Sequence, residues 1–247
     1  MLPYTQKIQK YNANKLFYLF QRHTRIHKEM VEPTDETKSL IELEARDKRR
    51  LETFIDGVFA IAITLLGLGF VVPLLQHSSG ALLVFFVSLW PKFLGYFLAF
   101  FLLAALLNNN WRQFQNIAFA DWPLFYINVL FLAFIVLVPF ATTVLTEYPD
   151  ITVGVLFFHC VMLAAGLALY ENWSYVKRHP YLLKKGVTTK TLRVIPYVNA
   201  SLPIASVVAI GLAFVALLLS TLAYALIIPI MIMARLGVPR HESVPNP

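Results

Sequence analysis

The sequence predicts an all-α membrane protein with six transmembrane helices per chain. Three observations carry that prediction. Of the 247 residues, 58% are hydrophobic and 14% charged, with a mean hydropathy of +0.64, whereas roughly a quarter of the residues of a soluble domain are charged. The hydrophobic residues gather in runs near the length of about 20 that a helix needs to span hydrocarbon. The positive charges, finally, fall on alternate connections between those runs, as the positive-inside rule requires of a multi-pass chain.

Residues 1–50 stand apart as a basic segment on the cytoplasmic side. Lys7, Lys10, Lys15, Arg22, Arg25 and Lys28 interleave with Ile8, Leu16, Phe17, Leu19 and Phe20. That pattern suits a basic amphipathic helix on a membrane surface or against a neighbouring subunit, and equally a loosely ordered solvated tail. Pro33 to Ser39 breaks the pattern, and Ile41 to Arg50 reads as a helical lead-in with acids first and bases last. No compact apolar core precedes a small-residue cleavage site, so the first membrane helix is expected to act as the targeting signal.

The six-helix domain is expected over residues 51–236. Its first span lies within Arg50 to Pro73: charges at Arg49, Arg50, Glu52 and Asp56 give way to a run from Gly57 to Leu75 without an ionisable side chain. A polar link, Gln76 to Gly80, leads to a second span from about Leu82 to Leu107. Pro91 and Lys92 interrupt it, the proline either kinking the helix or marking its true start. It ends at Asn108, Asn109, Asn110, Trp111 and Arg112.

The third span runs from about Leu124 to Leu145, before Glu147, Pro149 and Asp150, and the fourth from about Val153 to Tyr175. A basic loop follows with Lys177, Arg178, Lys184, Lys185, Lys190 and Arg193. Ile195 to Met233 is apolar for too long to be one helix and contains Asn199, Pro203 and Gly211, so it is read as two helices turning tightly near Phe214 to Leu218. Residues 237–247 form a polar, proline-rich cytoplasmic tail. With Arg49 and Arg50 in the cytoplasm, Arg112, the loop Lys177 to Arg193, Arg235 and Arg240 fall on that same side of the cell membrane. The opposite links, around Ser78, Tyr148 and Ala216, carry almost no positive charge.

Composition also excludes function classes. The net charge of +7 and pI near 9.5 belong to cytoplasmic loops facing anionic lipid, and no nucleic-acid partner is expected. A single cysteine, Cys160, rules out an internal disulfide framework and a multi-cysteine metal site within one chain. No H-E-x-x-H, G-x-S-x-G, phosphate-binding glycine loop or paired intramembrane carboxylates are present, so no enzyme is predicted and no cofactor is implied. A carrier for a small solute or proton would show polar residues converging at the midplane of repeated halves. No such half-repeat is visible, and a non-conducting membrane scaffold is the other alternative.

The first helix carries the candidate site. Ile61, Leu65 and Leu68 recur at i, i+4 and i+7 and stack along one face, with Thr64 one helical step from Leu65. Such a stripe either packs against neighbouring helices or lines a path. One helix cannot enclose a hole, so a path needs several copies of the chain around an axis, for which closed rotational symmetry is the usual solution. Narrow aliphatic rings exclude water and gate by dewetting. Potassium gives up hydration water more readily than sodium, so an apolar ring with few replacement oxygens penalises sodium more. Asp56 lies about 140 degrees round the helix from Ile61 and faces away from the stripe.

Arg50, Phe54, Asp56, Gly57 and the string VFAIAITLL from Val58 to Leu66 resemble the first-helix signature of the transmembrane protein 175 family of potassium channels. A second block, Asn128 through FLAFIVLVPFATTVL to Leu145 and Glu147, resembles that family's third helix. The resemblance spans roughly Arg49 to Gly237. It implies a homotetramer with potassium as the permeant ion and the first helix lining a central pore. It further implies Ile61 as the hydrophobic restriction, Leu65 and Leu68 as further layers, and Thr64 as a threonine layer. Arg50, Phe54 and Asp56 are implied to form a cytoplasmic-end network locking the first helix to the second, whose partners here would be Asn108, Asn109, Asn110 and Trp111. The bare alternative for Asp56 is a carboxylate favoured by the helix dipole.

The sequence departs from the family pattern at several points. Ile55 replaces a serine, and LNNNWRQF stands where W-x-N-H-H-x-x-F is more usual. Gly69 and Val71 stand where Asp and Arg often sit near the outer mouth. Asparagine hydrogen-bonds as histidine does but cannot titrate, so a network is expected to survive while any pH response through it is lost. Elsewhere, His159 reads as a hydrogen-bonded packing residue more readily than as a metal ligand or proton relay. Glu171 and Asn172 read as partners of Lys177 or Arg178. Trp90, Trp122, Trp173, Tyr126 and Tyr175 fall where an aromatic belt is expected.

Overall fold

The computed structural model describes residues 35–72, 78–227 and 230, with the side chains of 35–46, 190 and 218 outside the description. The basic segment up to residue 34, most of the polar link after the first span, the far end of the sixth hydrophobic run and the tail therefore lie outside the described residues. The chain divides into two compact units, 1–43 and 44–247, and every contact given below lies within the second.

Among the described residues the chain is helical throughout. The first helix, α1 (Asp35–Gly67), is continuous over 33 residues. Residues 35–39 are already helical, so the expected break at Pro33 to Ser39 does not reach past Thr34. At the other end the helix stops at Gly67, well short of Leu75. The amides of Leu68, Gly69 and Phe70 bond the carbonyls of Leu65, Leu66 and Gly67, closing the helix through short turns. Two glycines in three positions weaken helix continuation where hydropathy alone would extend it.

The second hydrophobic run is two helices, α2 (Ser79–Ser88) and α3 (Trp90–Asn116), separated at Leu89. Pro91 sits in the first turn of α3, where its missing N–H costs no hydrogen bond, so it marks a start rather than a kink. The far boundary lies beyond the expected end at Asn108 to Arg112: α3 continues to Asn116. Asn109, Asn110 and Gln113 are buried there, so this polar end is part of the packed body.

α4 (Trp122–Glu147) is capped by Asp121, whose side chain accepts the Leu124 amide, and α5 (Thr152–Arg178) follows after a short link. α5 is the middle of the bundle, packing on α4 and on α6 (Thr189–Ala213). Val155, Phe158, Met162, Leu169 and Trp173 of α5 are buried with Phe131, Ile135 and Val138 of α4. The chain turns over residues 214–216, where the Val215 and Ala216 amides both reach the Leu212 carbonyl. It continues as α7 (Leu217–Leu222) and a 3-10 turn, Ala223–Leu226, so the tight reversal falls within the expected 214–218.

Four of these helices are long and apolar enough to cross a membrane: Trp90–Asn116, Trp122–Glu147, Thr152–Arg178 and Thr191–Ala213. This is a multi-pass membrane protein. α1 is not among the four, because half of it is charged and its apolar part closes at Gly67.

The α5–α6 contact has one demanding point. A β-carbon placed on Gly166 would lie 2.8 Å from Cδ and 3.2 Å from the backbone nitrogen of Pro203. Pro203 has no rotamer with which to retreat, so the two helices must separate to admit a side chain. Gly166→Val is expected to lower stability by about 1–3 kcal/mol, as overpacking does, read as a fall in the thermal midpoint of the detergent-solubilised protein. An unchanged midpoint would mean that α6 shifts freely.

Candidate functional site

α1 separates cleanly into two faces. Leu51, Ile55, Phe59, Ala62 and Leu66, spaced four, four, three and four residues apart, are all buried. Phe59 packs its ring 5.8 Å from that of Phe131 on α4. Opposite them, Ile61 is 60% exposed, Leu65 39% and Leu68 74%. The stripe foreseen from spacing is thus a row of large aliphatic side chains left largely uncovered at Ile61 and Leu68 and partly covered at Leu65. Leu68 falls just past the helix end but keeps the row through its bond to the Leu65 carbonyl, 3.1 Å.

Thr64 is exposed on the same side. Its hydroxyl donates to the Ile61 carbonyl at 2.8 Å, a common arrangement for threonine in helices. With the proton committed to the backbone, the remaining lone pairs of Oγ1 point outward as an acceptor. Ile55, where a serine was expected, is 1% exposed within the core.

At the charged end of α1, Asp56 Oδ1 accepts from Trp111 Nε1 of α3 at 2.7 Å. Arg49, Glu52, Thr53, Asp56, Trp111 and Gln115 line an open cleft of about 390 Å³ between the two helices. Arg50 is exposed and Phe54 is 51% exposed. The structure therefore brings Asp56 and Trp111 together, while Phe54 turns to the side of the stripe.

The asparagines do something that spacing did not foresee. Asn110 Nδ2 donates to Asn128 Oδ1 at 3.4 Å; Asn128 Nδ2 donates to Asn172 Oδ1 at 2.9 Å and to the Leu124 carbonyl at 2.8 Å. Asn172 Nδ2 then donates to Gln113 Oε1 at 2.7 Å, and Gln113 Nε2 to the Leu169 carbonyl at 3.0 Å. Four neutral amides, all buried, thus form one directed chain joining α3, α4 and α5 beside the Trp111 anchor. Asn109 is buried too, its carbonyl oxygen without a partner among the described residues, and Asn108 is half-buried. Asn172 belongs to this chain and not to Lys177 or Arg178. Glu171, its neighbour, is the residue that pairs with Arg178, at 2.9 Å.

The loops at this end are tied together. The Ala118 amide bonds the Leu182 carbonyl and the Lys184 amide the Asn116 carbonyl, pairing Ile117 with Leu183. Asp121 Oδ2 accepts from the hydroxyls of Tyr175 and Tyr181. Burial, reinforced by that carboxylate, raises the Tyr181 phenol above its ordinary range. Lys48 is 8% exposed with Glu52 at 3.4 Å; burial holds its ammonium below the ordinary range against the opposing pull of Glu52, and Lys184 adds to the lowering.

His159 is fully buried between α5 and α7. Its Nε2 lies 2.9 Å from Ser220 Oγ and its Nδ1 3.0 Å from Tyr224 Oη. Since Ser220 gives its proton to the Leu217 carbonyl, Nε2 must carry the hydrogen and Nδ1 must accept from Tyr224. That is the packing histidine expected. Lys92 and Glu147 form an ion pair between α3 and α4 at the other end of the bundle, which their separation in sequence concealed. Among the described residues no cluster of three His, Cys, Asp or Glu could hold a metal.

Comparison with known proteins agrees with this architecture. Residues 50–139 match the family model described as the endosomal/lysosomal potassium channel TMEM175. A potassium channel of Streptomyces collinus is 30% identical over 204 residues, covering 78% of this chain and 96% of the relative. A potassium channel of Chamaesiphon minutus is 35% identical over 146 residues, covering 57% and 71% respectively. The crystal structure of a lysosomal potassium-selective channel TMEM175 homologue from Chamaesiphon minutus superposes with a TM-score of 0.63 at 29% identity, covering 76% of this chain and 98% of that one.

Proposed function

The chain belongs to the TMEM175 family, a family of channels and not of enzymes, and from that membership we propose that it is a potassium-permeable channel. Four copies, each with six spans and both termini in the cytoplasm, surround a pore lined by α1. α1 supplies the first span and the run entered at α7 the last. Ile61 forms the narrowest ring, Leu65 and Leu68 the layers beyond it, and Thr64 a ring of acceptor oxygens beside the restriction.

One observation supports this arrangement most: Ile61 and Leu68 are 60% and 74% exposed on a helix whose opposite face is buried at Phe59 and Ala62 to 0% and 1%. A lipid-facing helix could also leave aliphatic residues uncovered. Here, however, the same side carries the exposed hydroxyl-bearing Thr64. A closed apolar ring gates by expelling water. When dilated it passes the ion that parts with water more cheaply, and Thr64 Oγ1 meets that ion with a free lone pair.

The test is flux from proteoliposomes of the purified protein under potassium and then sodium gradients. Rapid potassium flux exceeding sodium flux is expected. Saturable counter-transport of an organic solute would favour a carrier, and absence of flux for either ion a scaffold.

A further inference from the structure

The row that contains Ile61 and Leu68 does not stop at Ile61. Phe54 precedes Ile61 by seven residues, as Ile61 precedes Leu68, and seven residues at about 100 degrees each return to within about 20 degrees of the same direction. Phe54 is 51% exposed, whereas Leu51 and Ile55 beside it are buried. Between Phe54 and Ile61 lies Gly57, around which a β-carbon would meet nothing within 4 Å. From these placements we infer that Phe54 lines the conduction path, forming an aromatic collar at its cytoplasmic mouth, about 10 Å along the axis from the Ile61 ring, with a wider chamber at Gly57 between them. This rests on the proposed pore: if the stripe faces an axis, Phe54 faces it too.

The collar gives the mouth a chemistry of its own. Aromatic faces attract cations, and most readily those whose hydration shell is weak. The charges beside it are balanced, Asp47, Glu52 and Asp56 against Lys48, Arg49 and Arg50, so no net positive barrier opposes a cation there. A hydrophobic organic cation therefore fits the chamber, held by phenyl groups behind it and stopped by Ile61 ahead. Potassium, smaller and still partly hydrated, passes through. Phe54 is in this account a specificity-determining residue and not a member of the Asp56–Trp111 anchor.

The experiment uses the full chain in proteoliposomes on a Cys160→Ser background, with Phe54→Cys, Ile55→Cys and Ile61→Cys made separately. A membrane-impermeant methanethiosulfonate bearing a trimethylammonium group is added on both sides. Modification of Phe54→Cys is expected to cut potassium flux several-fold, and tetrapentylammonium present beforehand is expected to slow that modification. Ile55→Cys, in the core, should be untouched. In the unmodified chain, Phe54→Ala should weaken tetrapentylammonium block by roughly tenfold while potassium flux persists, and Phe54→Tyr should retain the block. If the reagent alters flux through Ile61→Cys but not through Phe54→Cys, the collar is overturned and the pore stands. If neither position responds, the pore assignment itself has failed. Equal block in Phe54→Ala and the parent would remove the organic-cation site.

Discussion

Ile61→Asn is expected to collapse the preference for potassium over sodium by about an order of magnitude, mainly by raising sodium flux. The argument is one of hydration. An isoleucine ring offers no oxygen to replace the water an ion leaves behind, and sodium, which holds water more tightly, suffers more from that lack. In the proposed tetramer four asparagine amides would return polar partners to the proposed restriction, and sodium gains most from them. A tenfold change corresponds to about 1.4 kcal/mol, small beside what a dehydrated cation stands to gain, so the estimate is conservative. Asparagine would also wet the ring, removing the dewetting barrier that closes it, and the basal leak should rise. Leu68→Asn, at the more exposed position and on the layer proposed beyond the restriction, should leak with a smaller loss of preference. Ile61→Val keeps an apolar ring and should keep the preference. Parallel potassium and sodium flux traces decide the matter: if Ile61→Asn preserves both the ratio and the total flux, the stripe has no part in conduction.

How much of this was legible beforehand depends on how far apart in sequence the partners lie. The stripe of α1 is readable because helical periodicity is local, putting Ile61, Leu65 and Leu68 on one side; that Phe59 and Ala62 are the buried ones comes from the packing of α1 in the bundle. The length of α1 was not readable, because hydropathy continues to Leu75 while the backbone closes at Gly67. For Glu171 the sequence offers Lys177 or Arg178 as partner, both on its own helix, and the pair formed is with Arg178. The neighbouring Asn172 was misassigned, since its partners Asn128 and Gln113 are on other helices. The run Asn108 to Arg112 closes the second span on hydropathy alone. Its asparagines lie within α3 because other amides meet them across the bundle. A signal did exist: Asn128, Gln113 and Asn172 are isolated amides within or beside apolar runs, and such groups are buried only when they find each other.

That amide chain yields the second large effect. Asn128 is its hub, accepting from Asn110 and donating to Asn172 and to the Leu124 carbonyl. Asn128→Leu, which keeps the branching and heavy-atom count but not the polar atoms, would strand the Asn110 donor and the Asn172 acceptor in a buried site, and each stranded group costs about 1–3 kcal/mol. A loss of about 2–4 kcal/mol is expected, tempered because helices within a membrane find substitute partners. Asn110→Leu should cost less, because it removes only the 3.4 Å bond at the start of the chain. The functional consequence passes through one residue: Trp111 follows Asn110 on α3 and holds Asp56 of α1, so loosening α3 should let the Ile61 row shift and raise basal leak. No group in the chain titrates, and the deficit of Asn128→Leu relative to the parent should therefore be the same at pH 5 and pH 8. Thermal midpoints of the purified variants at both pH values test each part. A variant Asn128→Leu no less stable than Asn110→Leu would mean that the four amides do not act as one chain, and a deficit confined to low pH would place a titrating group where the structure has only amides.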